Sequence, residues 1–135
     1  MAAVFEKLNW KVQQDIVVLN APDSFEPELS QLSSTAIHRS LSKVKETTFL
    51  LAFVTRKNEV DALAPQIGKR AKGDAIVWFA YPKGSSKKYK CDFNRDTGWD
   101  AMTGLGFETV RAIAIDEDWT ALRFRRSEHV KARKN

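Results

Sequence analysis

Three short apolar runs divide the chain and predict buried β-strands at residues 15–19, 48–54 and 75–81. Their apolar residues are continuous and do not alternate with polar ones, which is typical of strands covered on both faces of a parallel sheet. Two segments near the C-terminus, residues 107–115 and 119–126, alternate instead and predict an antiparallel hairpin. A shorter strand is predicted at residues 35–39.

Between these strands, apolar residues recur every three or four positions and predict helices. The helical segments contain Phe5, Leu8 and Val12; residues 25–32; Val60, Leu63, Ala64 and Ile67 after a cap at Asn58; and Trp99, Met102 and Leu105 after a cap at Asn94. Pro65 lies inside the third segment and predicts either a kink or two short helices end to end.

Alternation of strands and helices followed by a hairpin predicts an α/β fold: an open, mostly parallel sheet with helices on both faces and a C-terminal antiparallel hairpin. The 135 residues suffice for one domain, expected at residues 1–127, followed by a basic tail at 128–135. No apolar run approaches the ~20 residues of a membrane span. The single cysteine, Cys91, excludes an internal disulfide and, with no signal peptide recognised, indicates a cytoplasmic protein.

The excess positive charge is concentrated in two segments. The chain has 22 Lys and Arg against 17 Asp and Glu, a formal net charge of +5. The excess lies in residues 83–95 and 123–134, which makes nucleic-acid binding one alternative function. A solvated basic C-terminus is the other interpretation of the second segment.

Ligands of open parallel sheets bind beyond the carboxyl ends of the strands. The predicted strands and the helix near residue 94 bring candidate ligand-binding residues to that edge: Asn20, Pro22, Thr55, Lys83, Ser85, Ser86, Asp96 and Trp99. A Gly-Ser-Ser turn beside Lys83 can hold an anion through hydroxyls, backbone N–H groups and one positive charge. The alternative is a solvated loop in which a serine closes a turn.

Asp96 and Trp99 lie one helical turn apart and can face the same side. Asp96 either accepts hydrogen bonds at a pocket mouth or interacts with the helix dipole, and Trp99 either lines the pocket or packs in the core. His38, His129 and Cys91 show no ligand spacing, so no metal site is expected. No nucleophile elbow or other catalytic set is recognised.

The C-terminal half resembles the end of class I S-adenosylmethionine-dependent methyltransferases. Lys72-Gly73-Asp74 precedes a strand, Gly106-Phe107 begins another, and the hairpin would return a strand into the sheet. The whole chain is similar to a small bacterial family of unknown function with a reduced form of this methyltransferase-like, Rossmann-like fold. The stretches that match it are Leu19-Asn-Ala-Pro22, Ala80-Tyr-Pro-Lys83 with Ser85-Ser86, Arg95-Asp96 with Trp99, and Trp119-Thr-Ala-Leu-Arg-Phe124.

One departure from the methyltransferases governs the functional interpretation. Their first strand is followed by a glycine-rich turn, and a downstream acid holds the ribose of the cofactor. Here Leu19 is followed by Asn-Ala-Pro-Asp23 without glycine, and residues 32–48 are too few for the second and third strands with their helices.

The sequence therefore predicts a non-catalytic binding or protein-interaction module without a cofactor, S-adenosylmethionine included. Its expected partner is another protein or a small anionic ligand, with no membrane. The first alternative is a small-molecule transferase or a nucleotide- or anion-binding protein that uses the carboxyl edge of the sheet. The second is nucleic-acid binding through the basic segments.

Overall fold

A six-stranded sheet runs through the computed structural model, which describes residues 3–11, 13–32, 35–42, 44–93 and 98–132. The strands are β1 (Asp15–Leu19), β2 (Ala36–His38), β3 (Thr47–Phe53), β4 (Ala71–Pro82), β5 (Phe107–Ala114) and β6 (Trp119–Arg126). The helices are α1 (Ala3–Lys7), α2 (Glu26–Ser30, after a 3-10 turn at Asp23–Phe25), α3 (Lys57–Arg70), α4 (Asp100–Thr103) and α5 (Ser127–Ala132).

The strand order is β2-β1-β3-β4-β6-β5. Strands β2, β1, β3 and β4 are parallel to one another, and β6 is antiparallel to both β4 and β5. The hairpin strand β6 is thus inserted between β4 and β5. The predicted fold class, a mostly parallel sheet with an antiparallel C-terminal pair, is confirmed, and the short strand at residues 35–39 forms as β2.

Both faces of the central strands are buried. Successive residues of a strand point to opposite faces, so Leu50 and Ala52 of β3 pack on the side of α3 and α4 while Leu51 and Phe53 pack on the side of α1 and α2. Each of the leucine and phenylalanine side chains contributes about 1.5–3 kcal/mol on burial. This two-sided burial explains why the strands appear in the sequence as continuous apolar runs.

Helix α3 corrects two details of the sequence-based prediction. It continues through Pro65 as one helix of 14 residues, so the alternative of two short helices is wrong. Proline removes the hydrogen bond to the carbonyl of Asp61, but both residues lie on the exposed face, where water can satisfy that carbonyl. The helix also begins before Asn58, because Glu59 accepts hydrogen bonds from the backbone N–H groups of Thr55 (2.8 Å) and Arg56 (3.0 Å).

The helix predicted before Gly106 is shorter than expected. It is formed by α4 alone, and Asn94, its predicted cap, lies outside the described residues. Val12, assigned to the first helix, lies outside them as well. Among the residues that the structure describes, no helix has the length and apolarity that crossing a bilayer requires.

Two arginines of β6 connect this strand to the start of β4 and the end of α3. Arg125 makes a bidentate pair with Asp74, at 2.8 Å from Nε to Oδ1 and 2.5 Å from Nη2 to Oδ2. Arg126 donates to the carbonyls of Gly68 (3.1 Å) and Ala71 (2.7 Å) at the end of α3. The chain then continues into α5, so the segment proposed as a tail begins as a helix in which Val130 is buried.

The Arg125–Asp74 pair predicts an acid-dependent loss of stability. The Arg125 guanidinium lowers the pKa of Asp74 below its usual 3.8. A lowered folded-state pKa stabilises the protein above the unfolded pKa, and that contribution is lost as the pH falls through the folded one. Asp74→Asn is therefore expected to lower the free energy of unfolding at pH 7 by up to about 1 kcal/mol, since the pair is partly exposed.

Urea unfolding at pH 7 and at pH 2 measures this difference. The difference between the wild type and Asp74→Asn should be smaller at pH 2, because protonation of Asp74 removes the charge that Arg125 binds. Asp61→Asn is the control, because Asp61 forms an exposed pair with Lys57 within α3. An Asp74→Asn effect that is equally large at both pH values would contradict the assignment to the ion pair.

Candidate functional site

A cavity of about 440 Å³ lies at the ends of β1 and β3, where the strand order reverses. From β1 the chain passes to β2 on one side and then returns to β3 on the other. Open α/β sheets bind ligands at this point, beyond the carboxyl ends of the two diverging strands. The β1–β3 cavity is lined by residues following both strands, by part of the loop after β4 and by the first residue of β6: Asn20, Ala21, Pro22, Asp23, Ser24, Phe53, Thr55, Glu59, Lys88, Tyr89 and Trp119.

Asn20 makes the turn that leaves β1. Its φ of +58° is in the left-handed region, which favours glycine but which asparagine adopts more readily than other residues. The Asn20 side chain also donates from Nδ2 to the carbonyl of Phe53 at 3.4 Å and so connects the ends of β1 and β3. The chain therefore makes a left-handed turn here without glycine, which the sequence analysis did not anticipate.

Aromatic side chains form one wall of the β1–β3 cavity. The ring of Trp119 lies 5.1 Å from that of Phe53 and 4.8 Å from that of Tyr89, measured between centroids. Trp119 is 3% exposed, and its Nε1 has no hydrogen-bond partner among the described residues. The rings are inclined to one another, by 80° for Phe53 and 50° for Tyr89 relative to Trp119, and an aromatic wall of this kind can contact a planar ring at its face or its edge.

The rim of the cavity is polar, and its groups differ in how many hydrogen bonds and ion pairs they already form within the protein. Glu59 Oε1 accepts from two backbone N–H groups and from the hydroxyl of Thr55 (3.2 Å), so this oxygen serves the start of α3. Asp23 and Ser24 are exposed. Lys88 is exposed too, and within the described part of the chain its ammonium forms no ion pair.

A second cavity, of about 330 Å³, shares Tyr89 with the β1–β3 cavity. It is lined by Tyr81, Pro82, Lys83, Gly84, Ser86, Tyr89, Lys90, Cys91 and Phe93, and we call it the lysine cavity after Lys83 and Lys90. Burial raises the pKa of the Cys91 thiol. That thiol is therefore protonated at neutral pH and is not an activated nucleophile.

Ser86 fastens the loop between the two cavities to the hairpin. Its hydroxyl donates to Asp118 Oδ1 (2.9 Å) and accepts from the backbone N–H groups of Lys88 (3.2 Å) and Tyr89 (3.1 Å). The backbone N–H of Lys83 also donates to the carbonyl of Asp118 at 2.8 Å. These bonds fix the loop on which Tyr89 contacts Trp119 and lines both cavities.

The structure distributes the predicted site residues over several places. Asn20, Pro22 and Thr55 line the β1–β3 cavity, and Lys83 and Ser86 line the lysine cavity. Ser85 is exposed on the same loop and lines neither cavity, and Asp96 lies outside the described residues. Trp99 packs in the core, with ring centroids 4.9 Å from Phe93 and 5.1 Å from Phe124.

Sequence reasoning missed the residues that form the aromatic wall and the rim beside it: Phe53, Glu59, Lys88, Tyr89 and Trp119. One signal was available for Trp119. The first residue of an antiparallel strand lies at the carboxyl edge of its parallel neighbour, and Trp119 indeed pairs with Pro82 at the end of β4. The predicted hairpin could therefore have been used to place Trp119 at the ligand-binding edge, although the prediction did not do so.

The two basic segments differ in how their charges are used. Arg125 and Arg126 are bound to Asp74 and to the end of α3, and Arg126 also lies 4.7 Å from the ring centroid of Phe107. By contrast, the side chains of Lys83, Lys87, Lys88 and Lys90 form no ion pair or hydrogen bond among the described residues. Positive charge that is available to a ligand therefore lies beside the two cavities, on Lys83, Lys88 and Lys90. Within the described residues, no three His, Cys, Asp or Glu side chains are grouped as metal ligands.

Comparison with solved structures identifies the fold. A methyltransferase from Aquifex aeolicus described as S-adenosylmethionine-dependent superimposes with a TM-score of 0.66 at 10% identity, over 90% of this chain and 87% of that one. The magnesium protoporphyrin IX methyltransferase of Synechocystis, solved with bound S-adenosylhomocysteine (SAH), gives 0.57 at 8% identity, over 92% and 79%. Fibrillarin of Methanococcus jannaschii, a pre-rRNA processing protein, gives 0.54 at 9% identity, over 87% and 69%.

The protein has a methyltransferase-like Rossmann fold. This confirms the resemblance to the class I methyltransferases that the sequence motifs indicated. No model of a known protein family matches the sequence. No curated protein sequence matches it either.

The neighbours contradict two predictions made from the sequence. The solved structures that share this fold are mostly methyltransferases; one is described as S-adenosylmethionine-dependent and another holds SAH. The interpretation as a non-catalytic module and the expectation of no adenosyl cofactor are therefore wrong. Both predictions depended in part on the absence of glycine after β1. Asn20 adopts there the left-handed conformation that favours glycine.

Ser86 and Ser85 form a matched pair for testing the loop attachment. Ser86→Ala removes three hydrogen bonds and is expected to lower the free energy of unfolding by about 1–2 kcal/mol. It should also speed hydrogen exchange at the amides of Lys88 and Tyr89, which in the wild type donate hydrogen bonds to the Ser86 hydroxyl. Ser85→Ala is expected to change stability by less than about 0.5 kcal/mol. Equal effects of the two substitutions would show that Ser86 does not fasten the loop.

The left-handed turn at Asn20 is tested by comparing alanine with glycine at that position. Asn20→Ala is expected to destabilise by about 1 kcal/mol, because Cβ is strained at this φ. Asn20→Gly should recover most of that loss. Asn9→Ala is a control of the same kind, because Asn9 is the other described non-glycine residue with positive φ (63°) and lines neither cavity. Urea unfolding measures the stability of the three variants. An Asn20→Ala protein as stable as Asn20→Gly would contradict the assigned turn.

Proposed function

We propose that the protein is a methyltransferase that binds S-adenosylmethionine in the β1–β3 cavity. The observation that carries this proposal is the coincidence of three features at one place. The strand order reverses there, the left-handed backbone of Asn20 turns the chain away from β1, and aromatic side chains line the cavity. The cavity volume of about 440 Å³ lies within the range of small-molecule and cofactor sites.

The residues present suit the parts of such a cofactor. The wall of Tyr89 and Trp119 suits the adenine ring, whose faces stack on aromatic side chains. The ammonium of Lys88, which has no ionic partner in the part of the chain that the structure describes, suits the carboxylate of the methionine portion. Asp23 is an exposed carboxylate at the same rim and suits the ribose hydroxyls.

Asp23 takes this role because the end of β2 offers no free acid. The residue after β2 is Arg39, whose guanidinium is bound to both carboxylate oxygens of Glu26 at 2.7 and 2.8 Å. Both carboxylate oxygens of Glu26 therefore already accept hydrogen bonds from Arg39. The ribose contact is therefore assigned to the turn after β1 instead of to β2, which is where this reduced sheet departs from the family pattern.

When bound, S-adenosylmethionine supplies a methyl group on a positively charged sulfur. The chain's own contribution is to hold and orient: the aromatic wall excludes water on one side, and Ser86 fixes the loop that carries Lys88 and Tyr89. Holding two reactants in a fixed relative geometry is a major source of rate enhancement. The half-buried, single thiol of Cys91 supports the expectation that the enzyme works in the reducing cytoplasm.

Calorimetric titration with SAH tests the proposal. The wild type is expected to bind one equivalent, and ligand at 100 times the dissociation constant should stabilise the fold by about 2.7 kcal/mol. Tyr89→Leu is expected to weaken binding roughly tenfold, because one stacking surface is lost. Lys88→Gln should weaken it as well.

Lys87→Gln is the matched control for Lys88→Gln, because Lys87 is an exposed neighbour on the same loop and does not line the cavity. It should bind SAH like the wild type. Circular dichroism confirms that each variant is folded before titration. Absence of heat and of any change in Tm at millimolar SAH would refute the proposal.

A further inference from the structure

The lysine cavity combines unpaired positive charge with aromatic surface. Lys83 and Lys90 line it, and neither ammonium has an ionic partner among the described residues. The rings of Tyr81 and Phe93, with centroids 5.7 Å apart, lie on its apolar side, together with Tyr89. A cavity of this composition suits a planar group that carries a negative charge.

Within the described residues, no carboxylate lies at ion-pair distance from the ammonium of Lys83 or Lys90. Asp118 Oδ1 accepts from the hydroxyl of Ser86, and Asp92 Oδ1 accepts from the backbone N–H of Lys57 at 2.7 Å. The two ammonium groups therefore remain available to an incoming anion. The bonds made by Ser86 and by the backbone of Lys83 also order the loop in advance, which lowers the entropic cost of binding.

We propose that the lysine cavity binds the methyl acceptor, and that this acceptor is a small planar molecule bearing a phosphate or carboxylate group. The assignment of the acceptor role rests on the proposed function. The two cavities share Tyr89, so a ligand in the lysine cavity lies next to one in the β1–β3 cavity. The acceptor atom forms a bond to the methyl carbon with its lone pair, the carbon–sulfur bond breaks, its electrons leave a neutral thioether, and any acceptor proton passes to solvent.

A nucleic acid is the other anionic ligand that a basic loop attracts, but the structure favours a small molecule. Arg125 and Arg126 of the second basic segment are bound within the protein, which removes their charge from a long binding surface. Tyr81 and Phe93 are 6% and 8% exposed, so they line a cavity and do not form an open platform on which successive bases could stack.

Titration with phenyl phosphate, with and without saturating SAH, tests the anion site on the full chain. The wild type is expected to bind phenyl phosphate and to bind benzyl alcohol, its neutral counterpart, at least tenfold more weakly. Lys83→Gln/Lys90→Gln should weaken phenyl phosphate binding at least tenfold and leave SAH binding unchanged. Lys87→Gln, on the same loop but outside the cavity, should bind both ligands like the wild type. Benzoate in place of phenyl phosphate distinguishes a preference for carboxylate from one for phosphate.

The outcomes separate the two proposals. Phenyl phosphate binding that depends on Lys83 and Lys90 supports the anion site even where SAH fails to bind, and that result would overturn only the proposed function and the acceptor role. No binding at millimolar phenyl phosphate, or equal binding by the double variant, overturns the anion site. Tighter binding of a single-stranded oligonucleotide that falls steeply with salt and requires Lys87 overturns it in favour of a nucleic-acid substrate.

Discussion

Burial of β1, β3 and β4 on both faces is the constraint on which the rest of the structure depends. A parallel strand buried on both sides needs cover from both sides, and parallel neighbours need connections that return to the same end of the sheet. Helices α1 and α2 cover one face, and α3 and α4 cover the other. The segments that leave the strands must then emerge at the carboxyl edge, so the burial of the core also assembles the two cavities.

The carboxyl edge is held by a few polar contacts that span sequence-distant segments. Asn20 connects the end of β1 to Phe53, Glu59 joins the end of β3 to α3, and Ser86 joins the loop after β4 to the hairpin. Each contact satisfies donors or acceptors that the ends of strands and helices leave unpaired. The same groups thereby determine which atoms remain available to a ligand, because Glu59 Oε1 already accepts three hydrogen bonds at the start of α3.

Most of the fold could be predicted from the sequence, because two-sided burial makes the central strands continuous apolar runs and the hairpin alternates. The site was harder to predict because it depends on conformation and pairing. The left-handed φ of Asn20 is not visible in a search for glycine, and the start of α3 depends on a hydrogen bond that Glu59 makes backwards along the chain. Trp99 and Trp119 have the same residue type and opposite positions, one in the core and one on the cavity wall.

The basic segments show most directly why composition could not decide the function. In the sequence, the arginines of β6 and the lysines of the loop after β4 are two similar clusters of positive charge. The planar guanidinium of Arg125 matches both oxygens of Asp74, and that of Arg126 reaches two carbonyls at the end of α3. Lysine lacks this fork, and those of the loop remain unpaired within the described residues. One cluster therefore stabilises the sheet, while the other leaves its charge beside the cavities.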